Sequence, residues 1–248
     1  MKVYCRSIRI FSRVLLTAFL LFNGTFSHAQ SLLISVVPSL YGSKQGLKSS
    51  LVEIKTVDAE VLQNEDGKAK IGSVESRGQG IVIDPSGIIV TNTHIIAKAK
   101  AIHVHLADGQ VFEGKLIFHA DDADFSFIKI EAPHLLKAIA WGNSSEIQIG
   151  NPVIAFAHSN SNLQSPLGGQ VTSLIKNISS GDIELLELKL NLKPGDSGGP
   201  ILNEQGCLLG VIMGNRKSDN TFSYAIAVNK IQQEFLKYRG SVLVKNSG

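Results

Sequence analysis

The sequence predicts an all-β protein, built as a pair of packed β-barrels and finished by one helix. Three observations carry that expectation. Short apolar runs recur from Gly78 onward in two groups, with Pro133 to Gly150 between them. Asp84-Pro85-Ser86-Gly87, Asp108-Gly109 and Asn203-Glu204-Gln205-Gly206 punctuate those runs with turn chemistry. The clearest helical pattern, Val228 to Tyr238, sets Ile231, Phe235 and the Leu236/Tyr238 region on one face. Many short strands in two sets are the sequence form of paired barrels.

Residues 1–29 read as an export signal. Lys2, Arg6, Arg9 and Arg13 make a basic start without an acidic residue, and Val14 to Phe22 is mostly apolar. That run is about half the ~20 residues a membrane-spanning helix needs. Ser27-His28-Ala29 then places small residues where cleavage after Ala29 requires them; a retained signal anchor is the rival reading. Cleavage would leave 219 of the 248 residues, enough to bury a core in two lobes. Four of the 24 basic side chains would leave with the signal, so 20 would face 21 acidic ones, a formal charge of −1. The basic balance thus belongs to the leader and gives no support to nucleic-acid binding. Cys207 would be the sole remaining cysteine, so the processed chain would carry no intramolecular disulfide. Its apolar setting before Leu208-Leu209 marks a strand residue, not a nucleophile.

In chain order, residues 30–70 form an N-terminal extension and first-strand region. Ser50 to Val57 supplies an early strand, and Gln63 to Lys68 a polar excursion. Residues 71–140 hold the first barrel, with strands expected at Ile81 to Ile83, Ile88 to Val90, Ala101 to Leu106, Val111 to Phe118 and Phe125 to Ile130. Residues 141–248 hold the second barrel and the terminal helix. Its strands are expected at Pro152 to Ala157, Gly169 to Ile175, Ile183 to Leu190, Gly199 to Leu202, Cys207 to Met213 and Phe222 to Ala227.

The most informative segment is Gly195-Asp196-Ser197-Gly198-Gly199-Pro200. Glycines around a serine allow a tight turn whose backbone N–H groups can converge on one point, although such clusters also mark ordinary surface turns. His94 follows the strand Ile88 to Val90, and Asp124 precedes the strand beginning at Phe125, so both belong at strand ends. Ser197 can attack a carbonyl, His94 can move its proton, and Asp124 can hold the useful tautomer. Gly195 and Ser197 supply the oxyanion-hole N–H groups. Asp121 and Asp122 compete for the role of orienter, but Asp124 leads directly into the apolar strand. The order His–Asp–Ser opposes the Ser–Asp–His order of an α/β-hydrolase, which weakens an esterase reading. His103 and His105 alternate on one strand face and could ligate a metal, but no third ligand is evident.

These motifs resemble the chymotrypsin-fold serine proteases, and most closely their bacterial HtrA-type branch. Thr91 to Ile96 resembles that branch's histidine motif, Asp124 to Ile130 its aspartate strand, and Lys193 to Pro200 its serine loop. Arg77 to Asp84, Gly206 to Gly210 and Tyr224 to Ala227 are weaker matches. The resemblance implies two six-stranded antiparallel barrels. It implies an exported, periplasmic or secreted endopeptidase acting on flexible or unfolded polypeptides, with no metal and no cofactor. Asp196 departs from that branch's usual asparagine, Gln79 from its usual serine, and no C-terminal PDZ domain fits after the final helix. By the same resemblance Asn191 and Leu192, with Ile212, Met213, Gly214 and Asn215, would line the substrate pocket. An uncharged lining favours small or medium uncharged side chains over Lys or Arg. The alternative function is a latent or non-catalytic polypeptide-binding, chaperone-like protein. No stable membrane insertion is expected after cleavage. Gln30 to Ser50 is a candidate assembly or activation element, consistent with a homo-oligomer.

Overall fold

The computed structural model describes residues 47–63, 69–156, 158–159, 162–163 and 166–245. The expected signal, most of the candidate assembly element and the polar excursion at 64–68 lie outside the described residues.

The first lobe begins with a long hairpin, β1 (Leu51–Gln63) and β2 (Ala69–Asp84), which pairs Leu51 with Ile81 and Ile54 with Gly78. Strands β3 (Ile88–Thr91), β4 (Ala101–His105), β5 (Val111–Glu113), β6 (Lys115–His119) and β7 (Ser126–Lys129) complete one antiparallel sheet in the order β5-β4-β1-β2-β3-β7-β6. Its two edge strands are consecutive in the chain and separated only by Gly114, so the sheet curls back on itself. Gly114 donates its N–H to the Ile102 carbonyl, and a Cβ there would lie 3.0 Å from the Ile102 side chain. Val52, Ile54, Val82, Ile89, Val104 and Ile128 fill the interior. These are the branched residues that suit a pleated, half-buried surface.

The second lobe is a closed six-stranded barrel, β11-β12-β15-β14-β13-β8. Its strands are β8 (Pro152–Ala155), β11 (Leu167–Lys176), β12 (Ile183–Lys189), β13 (Pro200–Leu202), β14 (Leu208–Arg216) and β15 (Asp219–Ala227). A two-residue pair, β9 (His158–Ser159) and β10 (Asn162–Leu163), stands apart from it. Leu186, Leu188, Ile201, Ile212 and Ala225 pack inside the barrel. Cys207 is buried, as its apolar setting implied.

A third apolar cluster joins the lobes. Leu51, Ile81, Phe125 and Phe127 of the first meet Ile154, Leu202, Val211 and Ile226 of the second. The terminal helix α2 (Val228–Lys245) caps this seam with Val228, Ile231 and Phe235. Phe235 meets the Phe127 ring edge-on at 5.7 Å and stacks on Trp141 at 6.0 Å. Burying one such aromatic is worth roughly 2–3 kcal/mol. Asn229 locks the helix start: its side-chain oxygen accepts the Ser144 N–H at 3.0 Å, and its own N–H reaches Ser144 Oγ at 3.1 Å. The helix runs beyond the expected end at Tyr238. Its last turns expose Leu243 and Val244, so no apolar stripe marks them in the sequence.

Candidate active site

Both lobes meet where the serine turn of the second is bonded to β2 of the first. Asn92 follows β3 at the N-cap position of the short helix α1 (Thr93–Ile96), which presents His94. Asn92 is fully buried, and its Nδ2 donates to the Asp124 carbonyl at 2.8 Å. Thr93 Oγ1 lies 2.8 Å from Ser126 Oγ. The histidine and aspartate segments are thereby stitched together on either side of His94 and Asp124. Gly78 leaves room for Ile95, whose Cδ1 would lie 2.3 Å from a Cβ at that position.

Asp124 holds His94 with both carboxylate oxygens. Oδ1 accepts the His94 backbone N–H at 2.9 Å, and Oδ2 lies 2.6 Å from His94 Nδ1. That hydrogen bond, opposed by partial burial and reinforced by the carboxylate charge, raises the imidazole above its ordinary pKa. His94 Nδ1 faces the carboxylate, so Nε2 is the ring nitrogen left for a second partner. Asp121, the rival orienter, instead pairs with His119 at 3.6 Å, and Asp122 pairs with Lys230 at 3.0 Å.

Ser197 lies on the turn its glycines foreshadow. The Asp196 N–H donates to the Lys193 carbonyl at 3.1 Å, and Gly195 has φ +97° at the third position of that turn. This is the left-handed position of a type II turn, with Pro194 preceding it. Gly198 has φ +83°, and a Cβ there would lie 1.9 Å from the Gln79 carbonyl oxygen. Only glycine allows the serine turn to sit so close to β2. The Ser197 carbonyl accepts the Gln79 N–H at 2.8 Å, and the Gln79 carbonyl accepts the Thr91 hydroxyl at 2.7 Å. The serine turn is thus fastened, through Gln79, to the strand end that carries His94. Ser197 Oγ donates to the Met213 carbonyl at 3.3 Å. Asp196 is buried, and its Oδ2 accepts the Lys193 N–H at 2.7 Å. Burial raises its pKa, and the backbone bond opposes that shift.

The expected substrate-contact residues occupy different settings. Asn191 is exposed, whereas Leu192 and Ile212 belong to the barrel core. Met213, Gly214 and Asn215 run along β14 beside the serine turn. Asn215 Nδ2 donates to the Leu192 carbonyl at 2.9 Å, and its Oδ1 lies 3.0 Å from Ser223 Oγ. Asn215 is therefore the asparagine fixed in this region. The sequence reading passed over Thr91, Asn92, Ser126 and Ser223 as supporting groups. Polar residues inside apolar strand runs were the available signal. His103 and His105 face Glu113 and Val111 across β4 and β5. Among the described residues no group of three or more His, Cys, Asp or Glu side chains could hold a metal. Among them, too, no helix is long and apolar enough to cross a membrane.

A family model for the trypsin-like peptidase domain matches residues 78–211, more than half of the chain and all three motifs. The chain belongs to the trypsin-like peptidase family. Proteases of the HtrA and DegP-like type are among the proteins it is similar to. It is 35% identical over 144 residues to a probable periplasmic serine endoprotease DegP-like of Chlamydia muridarum, covering 54% of this chain and 27% of that one. A putative serine protease, HhoA, of a Synechocystis species is 29% identical over 163 residues, covering 63% and 41%. The chain thus spans well under half the length of these curated relatives. The solved structure of the HtrA-type protease AlgW with a decapeptide superposes with a TM-score of 0.68. That match covers 82% of this chain and 67% of the other at 18% identity, and it shows the shared chymotrypsin fold. The all-β expectation with a terminal helix is borne out. The second lobe is the closed six-stranded barrel, and the first is a curled seven-stranded sheet whose edge strands are continuous in sequence.

Proposed function

We propose that this trypsin-like peptidase is a serine endopeptidase using His94, Asp124 and Ser197. The observation that carries the reading is the two-pronged grip of Asp124 on His94, beside a glycine-turned Ser197. Ser197 Oγ attacks the peptide carbonyl carbon while His94 Nε2 takes its proton. The carbonyl oxygen becomes an oxyanion facing the N–H groups of Gly195 and Ser197. Collapse breaks the C–N bond as His94 returns a proton to the amine, leaving an acyl-serine. Water then attacks that ester, with His94 as base, and the product acid departs. For the first step the Ser197 hydroxyl leaves the Met213 carbonyl and turns to His94, an adjustment ordinary for an unliganded site. Neither metal nor cofactor enters any step.

Substrates are proposed to be flexible or unfolded polypeptides with small or medium uncharged side chains at the cleaved position. The uncharged Met213–Asn215 segment supports that preference. Export to the periplasm or beyond rests on the leader-like first 29 residues and on the periplasmic names of relatives. The resting bond from Ser197 to Met213 also favours a second reading, a latent site on a polypeptide-binding protein. Fluorophosphonate labelling separates the two. Labelling that Ser197→Ala and His94→Ala each abolish is the expected result. A folded protein that does not label would place the binding function ahead.

A further inference from the structure

We propose that Gln79 is a positioning residue for the oxyanion turn, its buried side-chain amide holding the Gly195 carbonyl while its backbone holds Ser197. The inference rests on the serine-protease reading above and deepens it. Three successive carbonyls of the turn have partners. Gly195 O accepts Gln79 Nε2 at 3.3 Å, Asp196 O accepts the Gly199 N–H at 3.1 Å, and Ser197 O accepts the Gln79 N–H at 2.8 Å. Two of the three anchors come from one residue, and that residue belongs to the other lobe.

The side-chain anchor acts at the weakest point. Gly195 lacks a Cβ, so both its backbone torsions are soft, while Pro194 before it has a fixed φ. The peptide after Gly195 is held at both ends, its carbonyl by Gln79 and its Asp196 N–H by Lys193. The Gly195 N–H sits on the middle peptide of the Lys193–Asp196 turn, so holding the turn closed at this end limits how far that peptide can flip. A donor aimed before the reaction is what an oxyanion site requires.

A packing role does not explain the amide. Gln79 is fully buried, and its Oε1 has no hydrogen-bond partner. An apolar chain of the same length would fill the space without leaving a buried acceptor unsatisfied. The site is also shaped to admit it: a Cβ on Gly199 would sit 3.1 Å from both Nε2 and Oε1. The gain that offsets the unpaired oxygen is the bond to Gly195.

Two variants test this. Gln79→Met keeps the volume and removes the donor. Its kcat should fall about tenfold or more at nearly unchanged KM, below the ~100-fold cost of deleting an oxyanion donor outright. Fluorophosphonate labelling should slow in proportion, with the melting temperature held. Gln79→Glu can donate to Gly195 O only while the introduced carboxyl is protonated. Its activity should therefore fall again as pH rises, a limb absent from wild type and one that lost packing would not create. A kcat within about twofold of wild type in Gln79→Met, together with no falling limb in Gln79→Glu, overturns the proposal. So does activity lost only in step with the folded fraction. If folded wild type itself fails to label, the protease reading fails separately. Hydrogen exchange at the Asp196 amide then tests the clamp alone. Faster exchange in Gln79→Met supports it, and unchanged exchange overturns it.

Discussion

Asp124→Asn should disable the proposed triad by choosing the wrong histidine tautomer, and the structure dictates which way the new amide faces. Oδ1 of Asp124 accepts the His94 backbone N–H at 2.9 Å, a donor that cannot change role. The asparagine oxygen must occupy that place, which turns its NH2 toward His94 Nδ1, 2.6 Å from the present Oδ2. Nδ1 must then accept, so the ring proton moves to Nε2. That nitrogen can no longer take the proton of Ser197. The equivalent change in a protease of this mechanism costs about 10⁴ in kcat, or ~5.4 kcal/mol at 1.36 per decade. Peptide hydrolysis and fluorophosphonate labelling measure the loss, and a thermal melt shows that the fold persists. A folded variant that keeps more than about a tenth of wild-type activity would refute the tautomer argument.

The pH profile supplies an independent check. Asp124 favours the charged imidazole, so the pKa of His94 lies above its ordinary value. The stabilisation this pair gives the folded chain is fully present below the unfolded pKa and is lost as pH rises through the folded one. Catalysis runs the other way, because only neutral His94 accepts a proton. Wild-type activity should climb with pH through a value above about 6.5. In Asp124→Asn the residual limb should move to lower pH, since both the hydrogen bond and the charge are gone.

Three further outcomes follow from the same geometry. Gly198→Ala forces a side chain into φ +83° and within 1.9 Å of the Gln79 oxygen; it should cost about 3 kcal/mol and abolish labelling, and wild-type melting and labelling would contradict the close approach. Asp196→Asn keeps an acceptor for the Lys193 N–H but removes a carboxyl whose pKa burial raises. Wild-type stability should fall as pH rises from about 4 through the folded pKa of Asp196, the variant should lack that component, and identical slopes in urea melts would refute it. Lys230→Met breaks a bridge from α2 to Asp122 and Glu184, at 3.0 and 2.9 Å. The loss should be about 1 kcal/mol because the carboxylates are partly solvated, and a double-mutant cycle with Asp122→Asn showing no coupling would sink the bridge.

The residues proposed to react were legible because each sits in a short contiguous pattern. Glycines flank Ser197 because that turn needs left-handed torsions, and such a need leaves a local mark at Gly195 and Gly198. His94 and Asp124 lie beside apolar strands, so strand reading alone put them at sheet ends. Strand existence was readable for the same reason, since Val and Ile runs mark buried sheet. Strand length was less so. The β14–β15 hairpin continues to Arg216 and Asp219 through polar residues that carry no apolar signal. Helix α2 likewise outlasts its apolar face.

The supporting residues were illegible for a different reason: their partners are distant in sequence and belong to backbone, not to other side chains. Thr91 holds the Gln79 carbonyl, Asn92 that of Asp124, Asn215 that of Leu192, Ser223 that of Leu190, and Gln79 that of Gly195. Most of these carbonyls lie on loops or at strand ends, where the sheet offers no partner of its own. A cleft built from loops multiplies such orphaned groups, and burial makes each expensive unless a side chain answers it. Buried Thr, Asn, Ser and Gln therefore collect where the barrels stop and the loops meet. On that logic a polar residue inside an apolar run marks the approach to a functional cleft more directly than it marks a surface. Gln79, which sits next to the fully apolar stretch Ile81 to Ile83 and spans 116 residues to reach Gly195, is the strongest instance in this chain.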